Sequence, residues 1–263
     1  MITKSNRLNS ILLTFLVAAL SLHAAPLQPI TATGWNHDIV YGGGESGQGI
    51  SGSMDNGPGF FGANWYGVGR NTAPGAESTG LPFLPTESIS TPTDLIFQLQ
   101  PFAGGANAVL LNNGQGGLLT LTTPTPYLRL ALIGSTGNGT ANDLITISFA
   151  DGSTETFGGG AINQDWFFNT AGVAYTANGR TSNNEGTAFD NVNNGQPRLY
   201  QEIFTLANRS SEVISVGITN NGGGHSAIMA ISGEAIPEPS ALMLIGAGVG
   251  WFASRRKRYH WSA

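Results

Sequence analysis

From Pro92 onward the apolar residues recur at every second position, and that period excludes most folds. Phe97 and Leu99 alternate with Gln98 and Gln100, Leu128, Leu130 and Leu132 with Arg129 and Ala131, and Ile145, Ile147 and Phe149 with Thr146 and Ser148. Such alternation puts one face of a strand on a core and the other in water. Asp151-Gly152 interrupts it and leads into Ser153-Thr-Glu-Thr-Phe157, a hairpin signal, because Asp-Gly readily takes the positive φ angles of a tight turn. Arg198 to Leu206 and Glu212 to Thr219 read as strands about the Asn208–Ser211 turn, and Ser226 to Ile231 as the last strand. No stretch between the chain's two ends repeats apolar residues at helical spacing. Short strands and Gly-rich turns predict an all-β chain, an antiparallel β-sandwich or jelly roll. The lack of a fixed-period repeat argues against a propeller or β-helix.

Before Pro92 the text changes. Thr31 to Pro92 is dominated by Gly, Ser, Asn and Pro, with aromatics at Trp35, Tyr41, Phe60, Phe61, Trp65 and Tyr66. Rings at this density are costly to leave in water, so the expectation is long ordered loops pinned by aromatics and interrupted by short strands.

The two ends have a different chemistry from the body. Lys4 and Arg7, the apolar run Ile11 to Leu20 and small residues up to Ala25 read as a secretory signal cut after Ala24. At the other end Pro237-Glu238-Pro239 precedes an apolar segment, Ala241 to Ala253, and then Arg255, Arg256, Lys257 and Arg258. Thirteen apolar residues make a helix of roughly 20 Å, short of the ~30 Å hydrocarbon core, and the basic cluster would hold its end on the cytoplasmic side. Gly246 and Gly250 share one face of that helix and would let another helix come close. The order of the parts resembles the PEP-CTERM sorting signal of bacterial exported proteins: Ile236-Pro-Glu-Pro-Ser-Ala-Leu242, then Gly246-Ala-Gly-Val-Gly250, then Arg255-Arg-Lys-Arg258. The resemblance implies processing by a membrane exosortase, with Pro237, Glu238, Pro239 and the basic cluster as the signal's functional residues. Tyr259 to Ala263 extends beyond the point where such tails usually stop. The expected organisation is a signal peptide (1–24), a β-sandwich domain (25–236), the sorting signal (237–258) and a short tail (259–263).

The body has no cysteine and no lysine, and its five arginines (Arg70, Arg129, Arg180, Arg198 and Arg209) face fifteen Asp and Glu, a net charge of −10. Disulfide, redox and thiolate-metal chemistry are thereby excluded, and nucleic acid or anionic lipid finds no basic surface to bind. Thr91 to Phe168 is also diffusely similar to galactose-binding-like jelly rolls, through Gln98-Leu-Gln-Pro-Phe102, Asn107-Ala-Val-Leu110, Asp151-Gly-Ser-Thr-Glu155 and Asp165-Trp-Phe167. That likeness implies carbohydrate recognition as one use of the fold among many.

Several local patterns carry part of a chemical signature. Gly47-Gln-Gly-Ile-Ser-Gly52 has dinucleotide-binding spacing but runs into Met54-Asp-Asn and Gly57-Pro58, with no helix to cradle a phosphate. Gly224-His-Ser-Ala-Ile228 has Ile where a nucleophile elbow needs Gly. A histidine metal site would require His37 and His225 to meet beside Asp38. Asp190-Asn-Val-Asn-Asn-Gly195 keeps part of a calcium loop, with Val192 at the third position and Gln201 at the twelfth, and reads first as a polar turn. No cofactor is expected, though a structural calcium ion is compatible with the oxygen-rich composition. Asn138-Gly-Thr140 and Asn208-Arg-Ser210 are glycosylation triplets that carry little weight in a bacterial chain.

The ligand-binding candidates are Trp35, Asp38, Asp165 and Trp166. A tryptophan beside a carboxylate suits a sugar, the ring covering C–H faces and the carboxylate accepting hydroxyl hydrogen bonds. Asp38 and Asp165 would hydrolyse glycosidic bonds only if they faced each other about 5–10 Å apart across a cleft. The competing reading makes Trp166-Phe167-Phe168 a buried strand with Asp165 capping a turn. The expectation is an exported, non-enzymatic surface or extracellular-matrix protein, structural or adhesive, with weak polysaccharide recognition. A glycan-active hydrolase and a scaffold that binds only protein are the alternatives.

Overall fold

The computed structural model describes residues 26–42, 50–60, 62–69, 80–82, 88–93, 95–103, 105–168, 170–181, 189–190 and 196–237. Among them the only helical piece is a single 3₁₀ turn, Gly160–Asn163. Nine strands form one antiparallel sheet: β1 (Gln28–Pro29), β2 (Ala32–Thr33), β3 (Val109–Leu111), β4 (Gly116–Thr125), β5 (Tyr127–Phe149), β6 (Thr154–Gly158), β7 (Val173–Thr176), β8 (Arg198–Thr205) and β9 (Val213–Ala235). Their order is β7-β8-β5-β9-β4-β2, with β6 also on β5 and with β1 and β3 also on β9.

The spine is the pair β5 and β9, each 23 residues long, matched from Tyr127 opposite Ala235 to Phe149 opposite Val213. Different neighbours flank its two halves. β8 lies on Arg129–Gly134 and β1 on Ser232 and Gly233, whereas β6 lies on Leu144–Ser148 and β4 on β9 from Val213 to Thr219. Leu130 and Leu132 of the first half share a buried cluster with Ile145, Ile147 and Phe149 of the second. The sheet therefore doubles back on itself as a sandwich. The core-facing positions change from even to odd numbers because the register slips between Gly137 and Asp143. Bare backbone makes the bend feasible: a Cβ on Gly137 would overlap the Met54 carbonyl, and one on Gly224 the Gly139 carbonyl.

The first half is buried on both faces. Ala131, Ile133, Ala227 and Met229 point away from Leu130 and Leu132 into a second cluster, with Trp65, Phe97 and Trp166. Ala131 is expected on a polar face but is buried, because described loop residues such as Ile39, Met54, Leu81 and Phe102 cover that side. The loops carry the expected short strands. Val40–Tyr41 pairs in parallel with Trp65–Tyr66, Gly52–Ser53 with Gly57–Pro58, and Ser88–Ser90 with Ile96–Gln98. Tyr41, Trp65, Tyr66, Phe97 and Phe102 are buried, each stabilising the layer by roughly 2–3 kcal/mol. Phe60 stays in solvent.

The Asp151-Gly152 hairpin forms, with Gly152 at φ 84° and β6 paired back on β5. The expected strands Glu212–Thr219 and Ser226–Ile231 are joined in one strand, β9, which begins at Val213. It passes through Asn220-Asn-Gly-Gly-Gly224 by taking Gly223 to φ 91° while Gly223 still pairs with Ala141. Among the described residues no helix is long and apolar enough to cross a membrane. The signal-like start (1–24), the apolar segment Ala241–Ala253 and the basic cluster Arg255–Arg258 lie outside the described residues, as do Glu238 and Pro239.

Candidate functional site

The 3₁₀ turn feeds the segment Gln164–Phe168 across the bend of β5. Thr136 N–H donates to the Gln164 carbonyl at 2.9 Å and Trp166 N–H to the Thr136 carbonyl at 2.8 Å, which fixes Asp165 between them. The Asp165 carboxylate accepts from Gly139 N–H at 2.8 Å and from Phe167 N–H at 3.0 Å. Asp165 thus caps two turns at once. One of these is the Asn138-Gly139 turn, in which Asn138 takes φ 57°. The Tyr200 hydroxyl donates to the Asp165 carbonyl at 2.9 Å, and Arg198 to the Phe167 carbonyl at 2.8 Å.

Trp166 is 1% exposed, its ring edge-on to Trp65 at 5.2 Å and to Phe167 at 5.1 Å between centroids. Its indole N–H donates to Asp55 Oδ1 at 3.2 Å. The other oxygen of Asp55 accepts from Arg180 at 2.7 Å. The Arg180 guanidinium lies 4.9 Å from the Phe167 centroid and 5.4 Å from that of Trp166, stacked on both rings. Asp55 sits at the tip of the Gly52–Pro58 hairpin and Arg180 on the two-residue strand Arg180–Thr181. Three segments far apart in sequence converge here.

Burial pushes the Asp55 carboxyl above its usual range; Arg180 and the Trp166 N–H oppose this, and the nearby Asp165 charge adds to it. Burial likewise lowers the His225 imidazole, against the opposing pull of Asp55. Asp55, Asn56, Asn138, Asp165 and Arg180 form the polar wall of an open depression of about 780 Å³. Phe168, 84% exposed, stands at its margin. The arrangement offers carboxylate and amide oxygens as acceptors, amide and guanidinium N–H as donors, and one aromatic face in solvent.

The four candidates divide between two places. Asp165 and Trp166 belong to the depression. Trp35 is half-buried against the cluster of Leu130 and Ile145, its N–H donating to the Ala32 carbonyl at 3.0 Å. Asp38 is 3% exposed and accepts from Val40 N–H at 3.2 Å and from the Asn107 amide. His37 lies against Asn36 and bridges to Ala108, while His225 interacts with Asp55. Among the described residues no three His, Cys, Asp or Glu group closely enough to hold a metal ion. Residues 191–195 of the calcium-like loop lie outside the described residues, and Gln201 donates to the Thr93 hydroxyl at 2.6 Å.

Sequence reasoning missed Asp55 and Arg180. One signal was present: in a body without lysine, the cation for a half-buried carboxylate has to be one of five arginines.

Residues 235–258 match the family model described as the PEP-CTERM protein-sorting motif. No curated protein matches the chain. The motif implies an exported protein handled by an exosortase-type membrane enzyme.

Proposed function

We propose that the sorting motif delivers the β-sandwich to the cell surface or extracellular matrix, where it acts as a structural or adhesive protein that recognises polysaccharide weakly through the Asp55–Arg180–Trp166 depression. The observation that carries the reading is where the motif begins. Its match starts at Ala235, the last residue of β9, so the sorted cargo is the sheet itself. Glycan recognition draws support from the depression. Phe168 offers a ring for the C–H face of a sugar, and Asn56, Asn138 and the Asp55–Arg180 pair offer hydrogen bonds to hydroxyls at its wall. A non-catalytic role draws support from Asp38 and Asp165, whose carboxylates are occupied by backbone N–H groups, Val40 for Asp38 and Gly139 and Phe167 for Asp165.

Retention of the processed protein on the producing cell's own extracellular polysaccharide, with and without calcium, tests this. Phe168→Ala and Arg180→Ala are expected to cut retention several-fold while the sheet stays folded. Equal retention of both variants would remove the depression from the account, and failure of the native protein to bind would favour a scaffold that contacts only protein. Release of reducing sugar abolished by Asp165→Asn would establish the hydrolase instead.

A further inference from the structure

The outer face of the sandwich's second half carries a surface that neither the sorting motif nor the depression uses. Strand pairing aligns Thr154, Ser148, Ser215, Thr120 and Thr33 in one row across β6, β5, β9, β4 and β2, a hydroxyl from each of five strands. The next row reads Thr156, Thr146, Gly217 and Leu118, and the one after it Gly158, Leu144, Thr219 and Gly116. Inward neighbours such as Leu119, Ile147 and Val216 are buried, so these rows face out. Neighbouring side chains stand about 4.8 Å apart across strands and successive rows about 7 Å apart along them. No row contains an ionisable group, in a body of net charge −10.

The glycines of this face have no folding reason to be glycine. Gly116, Gly158 and Gly217 avoid the left-handed region. A Cβ on Gly217 would meet nothing nearer than 3.7 Å, one on Gly116 nothing nearer than 3.6 Å, and one on Gly158 nothing within 4 Å. Glycine weakens a strand, and where the fold does not demand it, close approach by another molecule is the remaining physical use. Leu118 (55% exposed) stands beside Gly217 in its row and Leu144 (40% exposed) diagonally across from it in the next, so the bare backbone of Gly217 forms a low slot between the two side chains.

The surface selects its occupant. An ionic partner finds no counter-charge here. Five strands and three rows cover roughly 300–400 Å², about half of what each side of a stable dimer buries. A polymer that repeats the same weak contact needs no large area, because binding at several units multiplies. We propose that this face docks an uncharged polysaccharide chain, its hydroxyls on the Thr and Ser rows and its C–H faces on Leu118, Leu144 and the slot at Gly217. The partner class rests on the glycan reading above, while the face backs onto a different core from the depression. One domain then holds two glycan chains, one on each site, and cross-links them.

The full chain in detergent micelles, passed over cellulose, β-1,3-glucan and dextran as uncharged probes and alginate as a polyuronate, tests the proposal. The native chain is expected to be retained on at least one uncharged probe, unaffected by salt, and more weakly on alginate. Gly217→Val fills the slot with a strand-favouring residue, so its melting temperature should hold or rise while retention falls at least about fivefold. Thr120→Glu should lower retention without changing the melting temperature. Unchanged retention of both variants overturns the proposal, as does a native chain retained on none of the uncharged probes. A concentration-dependent sedimentation that Gly217→Val abolishes also overturns it, in favour of a second copy as occupant. Loss of binding in Arg180→Ala and Phe168→Ala but not in Gly217→Val leaves the depression standing and removes this face; the reverse removes the depression.

Discussion

The segments 35–38 and 165–166 contain the same pair of residue types, tryptophan and aspartate, and fold to opposite ends. Both carboxylates are buried and committed to nearby backbone N–H groups. The tryptophans differ. Trp35 stays half-buried and satisfies its N–H three residues back, on Ala32. Trp166 goes fully inside because Asp55, 111 residues away in sequence, accepts its N–H at the edge of the depression. The distant hairpin thus satisfies the Trp166 donor at depth, whereas Trp35 meets its own need locally and stays nearer the surface.

Truncating the two rings should give the largest contrast. Trp166→Ala is expected to destabilise the domain by about 3–5 kcal/mol and Trp35→Ala by about 1–2 kcal/mol, read from urea midpoints. Equal losses would break the distinction.

A third buried carboxylate calibrates the first two. Asp143 receives one hydrogen bond, from Ser226 at 2.6 Å, and its other oxygen has no donor among the described residues. Burial pushes its pKa up to about 6, against the opposing Ser226 bond. A carboxyl whose folded pKa is raised holds its proton more tightly folded than unfolded. Its contribution to stability is therefore favourable at low pH and is lost as pH rises from about 4 through 6. The loss should be on the order of 3 kcal/mol and absent in Asp143→Asn, measured as the difference between the two melting curves from pH 4 to 7.5.

Arg180→Ala removes the cation from a half-buried Asp55, and because both partners keep contact with solvent the expected cost is about 1–2 kcal/mol. Arg180→Lys should recover the charge but not the stacking on Phe167 and Trp166. Asp165→Asn, which exchanges one acceptor oxygen for a donor facing a backbone N–H, should cost about 1 kcal/mol.

The strands that alternate cleanly were legible in the sequence. Ile145, Ile147 and Phe149 face a core and Thr146 and Ser148 face out, because that half of the sheet has water on one side. The continuity of β5 and β9 was not legible. Asn138-Gly139 and Gly222-Gly-Gly224 carry turn chemistry, and here the turn-prone residues bend a paired strand without ending it. The site was half legible. Asp165 and Trp166 stand out as neighbours, whereas Asp55 lies in a Gly-rich loop whose pattern says only that it turns. Its role is created by tertiary contact with Trp166 and Arg180.

Bonding to the sheet continues past the end of β9 into the sorting motif: Ile236 N–H donates to the Pro126 carbonyl at 2.9 Å, and Glu234 within β9 is paired to Arg129 at 2.7 Å. Tension on the tail therefore runs along the central strand of the sheet. The bonds to β5 on one side, and to β1, β3 and β4 on the other, lie across that direction and share the load in shear. Such a strand slides out only when many bonds fail together, so a pull applied at the start of the sorting motif would meet the sheet in shear.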